Sequence, residues 1–155
     1  MAQVAHPPGT LHGANVAEQL AHPPGTRSVV VVSPARPLYE GPARWVTVRA
    51  WDGQMGIWPK HADMVAALGV GLLRVGHPDG KVDRWAIWGG FLKVTGPKVT
   101  ILVDRAVAAG EVDAAAARRE LDETKASLRK PESDEQFEHL LDQRRFGEAK
   151  VKISG

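Results

Sequence analysis

Gly71-Leu72-Leu73-Arg74-Val75, His77-Pro78-Asp79-Gly80 and Lys81-Val82-Asp83-Arg84-Trp85-Ala86-Ile87-Trp88 make two β-like runs around a turn. Proline fixes φ, and the Asp-Gly after it tolerates the positive φ of a tight reversal, so the stretch reads as a hairpin. A second hairpin follows, with Phe91–Val94 and Val99–Val103 flanking Thr95-Gly96-Pro97-Lys98. Upstream, Ser28–Val32 is a β-branched run stopped by Ser33-Pro34, and Trp45–Ala50 is another with Trp51-Asp52-Gly53 as its turn. Short strands punctuated so regularly predict an antiparallel β-sandwich or barrel over residues 28–108.

Beyond Gly110 the period changes. Asp113 can cap a helix in which Ala114, Ala117, Leu121, Thr124 and Leu128 recur at three- and four-residue steps. Pro131 ends it. Ser133 with Gln136 resembles a capping box, Phe137, Leu140 and Leu141 form an apolar stripe, and Gly147 is a natural stop. The pattern predicts a helical hairpin over 109–150 and a tail over 151–155. Its stripes are narrow and rich in alanine, so the hairpin should be held lightly enough to detach.

Residues 1–27 read as a disordered N-terminal extension, in which Ala-His-Pro-Pro-Gly-Thr occurs at 5–10 and again at 21–26. His6, His12 and His22 lie there without the fixed geometry that metal ligands need.

Composition excludes several classes of function. Of 155 residues 43% are apolar, enough for a core, and the net charge of +2 comes from scattered basic pairs rather than a patch that would hold nucleic acid. The absence of cysteine removes disulfides, thiol nucleophiles and thiolate metal sites. No run approaches the roughly 20 apolar residues of a membrane span, and no basic segment precedes an apolar one at the N-terminus. A soluble intracellular protein is expected, one that reaches a membrane only through a partner.

Catalytic patterns are missing too. None of Ser28, Ser33, Ser127, Ser133 and Ser154 sits in a Gly-x-Ser-x-Gly elbow, and there is no phosphate-cradling Gly-x-x-x-x-Gly-Lys-Ser/Thr loop or His-Glu-x-x-His pair. His139 beside the second stripe reads as a solvated or partly packed histidine rather than a ligand. Trp45, Trp51, Trp58, Trp85 and Trp88 read as core and interface anchors rather than a sugar platform. No catalytic residue, cofactor or metal site is expected.

The most unusual segment is Gly53-Gln54-Met55-Gly56-Ile57-Trp58-Pro59-Lys60-His61-Ala62-Asp63-Met64. Two glycines three apart and an aromatic-proline pair describe a loop of fixed shape with apolar tips. It suits a protein–protein contact, or a loop tucked on its own core, and the residues alone leave both open.

Gly56-Ile57-Trp58-Pro59-Lys60-His61-Ala62 resembles the Gly-Ile-Leu/Tyr-Pro-Gly-His-Ala stretch of the epsilon subunit of bacterial and chloroplast F-type ATP synthases. Gly89-Gly90-Phe91-Leu92-Lys93-Val94 and Val99-Thr100-Ile101-Leu102-Val103-Asp104 look like that family's Ser-Gly-Gly-Phe/Ile-Leu-Glu-Val and Val-Thr-Val-Leu-Ala-Asp. Leu38-Tyr39-Glu40-Gly41 parallels its Leu/Met-Phe-Ser-Gly, and the order and spacing agree over roughly 28–149.

The resemblance implies a β-sandwich followed by a two-helix hairpin, in a non-catalytic rotor subunit of the central stalk. It implies binding to the gamma subunit and the c-ring, coupling of proton transport to ATP synthesis on other subunits, and a peripheral place on the cytoplasmic face of the bacterial cell membrane. Asp52, Gly53 and Gln54 would meet the c-ring, and Met55, Ile57, Trp58 and His61 the gamma subunit. The hairpin would rest on the sandwich or extend into the alpha/beta catalytic head and inhibit hydrolysis. Arg118, Arg119, Arg129, Lys130, Arg144 and Arg145 would then face acidic segments there.

The chain departs from the pattern in three ways. Lys60 stands where the family has glycine, the repeated extension is not part of the family core, and Val112-Asp113-Ala114-Ala115-Ala116-Ala117 matches the ATP-binding Ile/Leu-Asp-x-x-Arg-Ala with Ala116 at the arginine. A methyl group cannot pair with phosphate, which argues against ATP sensing. The competing readings are a free-standing β-sandwich adaptor with an interaction hairpin, and a ligand-binding enzyme using the tryptophans.

Overall fold

The computed structural model describes residues 24–59 and 62–154. The expected extension therefore lies outside the described residues except for a turn at 24–26, and the first strand opens at Arg27, one residue earlier than expected. Eight strands follow: β1 (Arg27–Val32), β2 (Pro37–Ala43), β3 (Trp45–Ala50), β4 (Gly53–Ile57), β5 (Met64–Gly76), β6 (Val82–Thr95), β7 (Lys98–Val103) and β8 (Ala106–Ala108). A 3-10 turn over Ala109–Glu111 leads to helices α1 (Ala114–Leu128) and α2 (Asp134–Ser154).

The two longest strands organise everything else. The runs 81–88 and 91–94 are one strand, β6, because Gly89-Gly90 bends the chain instead of ending it. Gly89 has φ 76° and Gly90 φ 136°. The ladder to β5 passes from Leu68↔Gly90 to Val70↔Trp88 with its register unchanged, so Gly69 stands at the same level as Gly89 and β5 keeps its pairing across the bend. Residues 90–95 of β6 then pair with β7, and residues 85–87 pair with β8. One layer is β2-β1-β7 with the far half of β6 and the near half of β5. The other is β4-β3 with the remaining halves and β8.

This is the expected sandwich with one departure. Neighbours pair antiparallel except β1 and β7, which run parallel with Val29 beside Val99 and Val31 beside Ile101. No hairpin joins those two strands, so nothing forces them to oppose.

Alternation supplies the core. Val31, Val48, Leu73, Ile87, Leu92 and Ile101 are fully buried between the layers. Burying each such side chain contributes about 1.5–3 kcal/mol.

The segment expected as a loop over 53–64 is half strand. Gly53–Ile57 pairs with β3, placing Met55 opposite Val48 and Ile57 opposite Val46, and both partners face inward.

The hairpin differs from expectation at its end. Gly147 does not stop α2, which continues through the expected tail to Ser154. Glycine serves here as a contact: a Cβ on it would stand 3.2 Å from Leu121 Cδ1 of α1. The buried set of α2 therefore shifts from the expected Phe137, Leu140 and Leu141 to Leu140, Phe146, Gly147, Ala149 and Ile153.

Phe146, Ala149 and Ile153 pack on Val70 and Ala86, forming a second small core on the outer face of the sandwich. Glu111 anchors the link, accepting hydrogen bonds from the Ala108 backbone N–H at 2.9 Å and from Arg36 at 3.0 Å. The Ala108 bond, then Arg36, holds this carboxyl below its ordinary range, so the contact is present at neutral pH and fades as pH falls through that lowered value.

Among the described glycines Gly90 is the least tolerant of a side chain, because a Cβ there would collide with the Leu102 carbonyl oxygen at a φ that L-residues rarely adopt. Gly90→Ala should lower stability by about 3 kcal/mol in urea unfolding. An unchanged midpoint would show that the bend carries no such demand.

Candidate functional site

The β3–β4 hairpin presents Asp52 and Gln54 to solvent, with Gly53 at φ 141° making the reversal. Trp51 beside them is 74% exposed. Of the four residues expected to face a gamma partner, two have other work. Ile57 is 2% exposed in the main core, and Met55 packs against that core, so their side chains belong to the fold. Trp58 is 57% exposed, with its ring 6.3 Å from that of Trp45. Lys60 and His61 lie outside the described residues.

The loop carrying Trp58 is pinned at both ends. Arg27, buried at the start of β1, donates to the Pro59 carbonyl through Nε and to the Gly96 carbonyl through a guanidinium nitrogen. Asp63 Oδ1 accepts the Gly96 backbone N–H at 2.8 Å. One turn, β6–β7, thus fixes the loop from two sides. Sequence reading missed Arg27 because it assigned that residue to the extension.

A second surface was also missed. Val65 on β5, Phe91 on β6 and Leu102 on β7 are 66%, 60% and 51% exposed. Phe91 stands directly opposite Leu102 on one side and Ala67 on the other, and Val65 lies diagonally across from it. These cross-strand neighbours form a continuous apolar patch on the outer face of the first layer. The signal was present in Phe91-Leu92: two large apolar residues adjacent in a strand cannot both face the core.

On the hairpin, the six expected basic residues divide into two sets. Arg145 reaches Asp142 at 2.9 Å and Arg144 reaches Glu148 at 3.6 Å, both within α2. Arg118, Arg119, Arg129 and Lys130 are exposed and, among the described residues, make no ion pair. Asp113 caps α1 by accepting the Ala116 backbone N–H at 3.1 Å.

A cleft of about 390 Å³ opens between the helices and the sandwich, lined among others by Trp88, Arg105, Glu120, Thr124 and Lys150. Among the described residues no cluster of three or more His, Asp or Glu could hold a metal ion. No described helix is long and apolar enough to cross a membrane.

Residues 26–109 match the family described as ATP synthase, Delta/Epsilon chain, beta-sandwich domain. The ATP synthase epsilon chain of a Synechococcus strain is 39% identical over 121 residues, covering 77% of this chain and 88% of the relative. The chain belongs to the ATP synthase epsilon-chain family. A second epsilon chain, from Exiguobacterium, is 41% identical over 109 residues, covering 66% of this chain and 80% of the relative.

Among solved structures, a chain of the Euglena gracilis mitochondrial ATP synthase in an OSCP/F1/c-ring assembly superposes with a TM-score of 0.71 at 25% identity. The match covers 83% of this chain and 81% of that one. A chain of the Tetrahymena thermophila enzyme, from its central stalk and c-ring, shares the fold with a TM-score of 0.59 at 15% identity, covering 83% of this chain and 96% of that one.

In the stretch 112–117, whose sequence resembles an ATP-binding motif, Asp113 is engaged in capping and Ala116 offers only a methyl group, which cannot pair with phosphate. Millimolar ATP should therefore leave the melting temperature of the isolated protein unchanged. A clear, saturable upward shift would refute this reading.

Proposed function

We propose that this chain is a non-catalytic rotor subunit of the central stalk, joining the gamma subunit to the c-ring and coupling proton transport to ATP synthesis carried out on other subunits. The observation that carries the reading is the open apolar patch of Val65, Phe91 and Leu102 in a chain of this family. A surface of this kind on an otherwise well-buried sandwich fits a permanent protein contact. We assign it to the gamma subunit, together with Trp58 on its pinned loop and the neighbouring His61. Met55 and Ile57 support that contact from beneath, as core residues.

Asp52, Gly53 and Gln54 form a polar hairpin tip suited to the polar loops of the c-ring. Membrane association then comes through the complex, on its cytoplasmic face. The hairpin is the regulatory arm. Undocked, it would bring Arg118, Arg119, Arg129 and Lys130 to acidic segments of the alpha/beta head and oppose hydrolysis, with Arg144 and Arg145 exchanging their present partners for that surface.

Co-purification tests the assignment. Phe91→Glu with Leu102→Glu should abolish recovery of the chain with gamma, since central apolar anchors carry roughly 2 kcal/mol or more each. Deleting residues 111–155 should leave that recovery intact and raise the ATPase rate of the complex. Full recovery of the double variant would move the gamma contact off this patch.

A further inference from the structure

Phe146 sits where three parts of the molecule meet. It is 3% exposed on α2, and the Trp88 ring of β6 meets it at 5.3 Å and 61°, edge to face. Two cations close on the same ring. Arg105, from the connection between β7 and β8, has its guanidinium carbon 4.7 Å from the ring centre, and Lys150 has its ammonium 5.2 Å away. Lys150 is mostly buried and pairs with Glu120 of α1 at 2.9 Å. One aromatic ring thus links the sandwich, α2 and, through Lys150, α1.

The surrounding contacts concentrate demand on this joint. Helix α1 buries only Ala117 and Leu121 and packs on α2, and it is α2 that meets β5 and β6. What holds α1 near the sandwich is therefore largely what holds α2. Two like charges on one ring repel, and Glu120 offsets that repulsion. Lys150 is largely shielded from water, which strengthens its attraction for the ring face, whereas the exposed Arg105 contributes the weaker contact.

We propose that Phe146 is a cation-clamped latch that holds both helices on the sandwich, so that opening it frees α1 and α2 together while the sandwich stays folded. Every group of the latch belongs to this chain, and Ala116 takes no part in it. The docked state therefore has a fastening separate from the nucleotide motif. Control of docking passes to whatever competes for Arg105, Lys150 or Glu120.

Native-state hydrogen exchange on the full chain tests this. Phe146→Leu keeps the apolar bulk and removes the ring, whereas Arg105→Met keeps the stem and removes the charge. Each should speed exchange in α1 and α2 alike, by about tenfold for Phe146→Leu and several-fold for Arg105→Met, with the amides of β5 to β7 unchanged. The double variant should exchange no faster than Phe146→Leu alone, because Arg105 acts through the ring.

Helix exchange unaffected by either substitution, acceleration confined to α2, equal acceleration in the strands, or strictly additive effects would each overturn the latch.

Discussion

The bend at Gly89-Gly90 is the constraint on which the rest of this fold depends. A strand of 14 residues cannot serve two packed layers unless it turns, and only residues without a Cβ can turn there against the Leu102 carbonyl. With the bend in place, β6 offers its far half to β7 and its near half to β8, and β5 keeps its pairing across it. The layers then close over one core, and every outward face is determined by the same two strands.

Those outward faces have different fates. On the second layer, Val70, Leu72, Ala86 and Trp88 are covered by α2, so the chain buries its own apolar surface. On the first, Phe91 and Leu102 remain open. The asymmetry divides the described molecule into a face closed by a helix of its own and a face that stays open. Arg27 and Asp63 meanwhile hold Pro59 and the approach to β5 to the β6–β7 turn, at one end of that layer.

Most of the architecture was legible in the sequence. Turn chemistry marked both hairpins, and the change of period at Gly110 marked the helices. What escaped reading was set by tertiary contact. Gly147 looks like a helix stop in isolation, and only the approach of Leu121 makes it an interior packing residue. Gly53 to Ile57 looks like a loop, and becomes a strand because β3 leaves an edge to pair with. The parallel pairing of β1 with β7 joins residues some 70 apart in sequence, which no local pattern reports. The same limit applied to the site: the resemblance implied a partner contact through Met55 and Ile57, and only the β-register, which no local pattern reports, turns both side chains inward.

The hairpin shows how a weak association can still be well defined. α1 buries two side chains, one of them an alanine, so its hydrophobic attachment is small. Specific position must then come from directional contacts, and these are few: the Leu121–Gly147 approach, the Lys150–Glu120 pair, and the rings and cations around Phe146. Directional contacts of this kind fail together when geometry is lost, whereas a broad apolar seam would yield gradually. A hairpin fastened this way is suited to having two states and little between them. That behaviour follows from the economy of its core rather than from any strain in the helices.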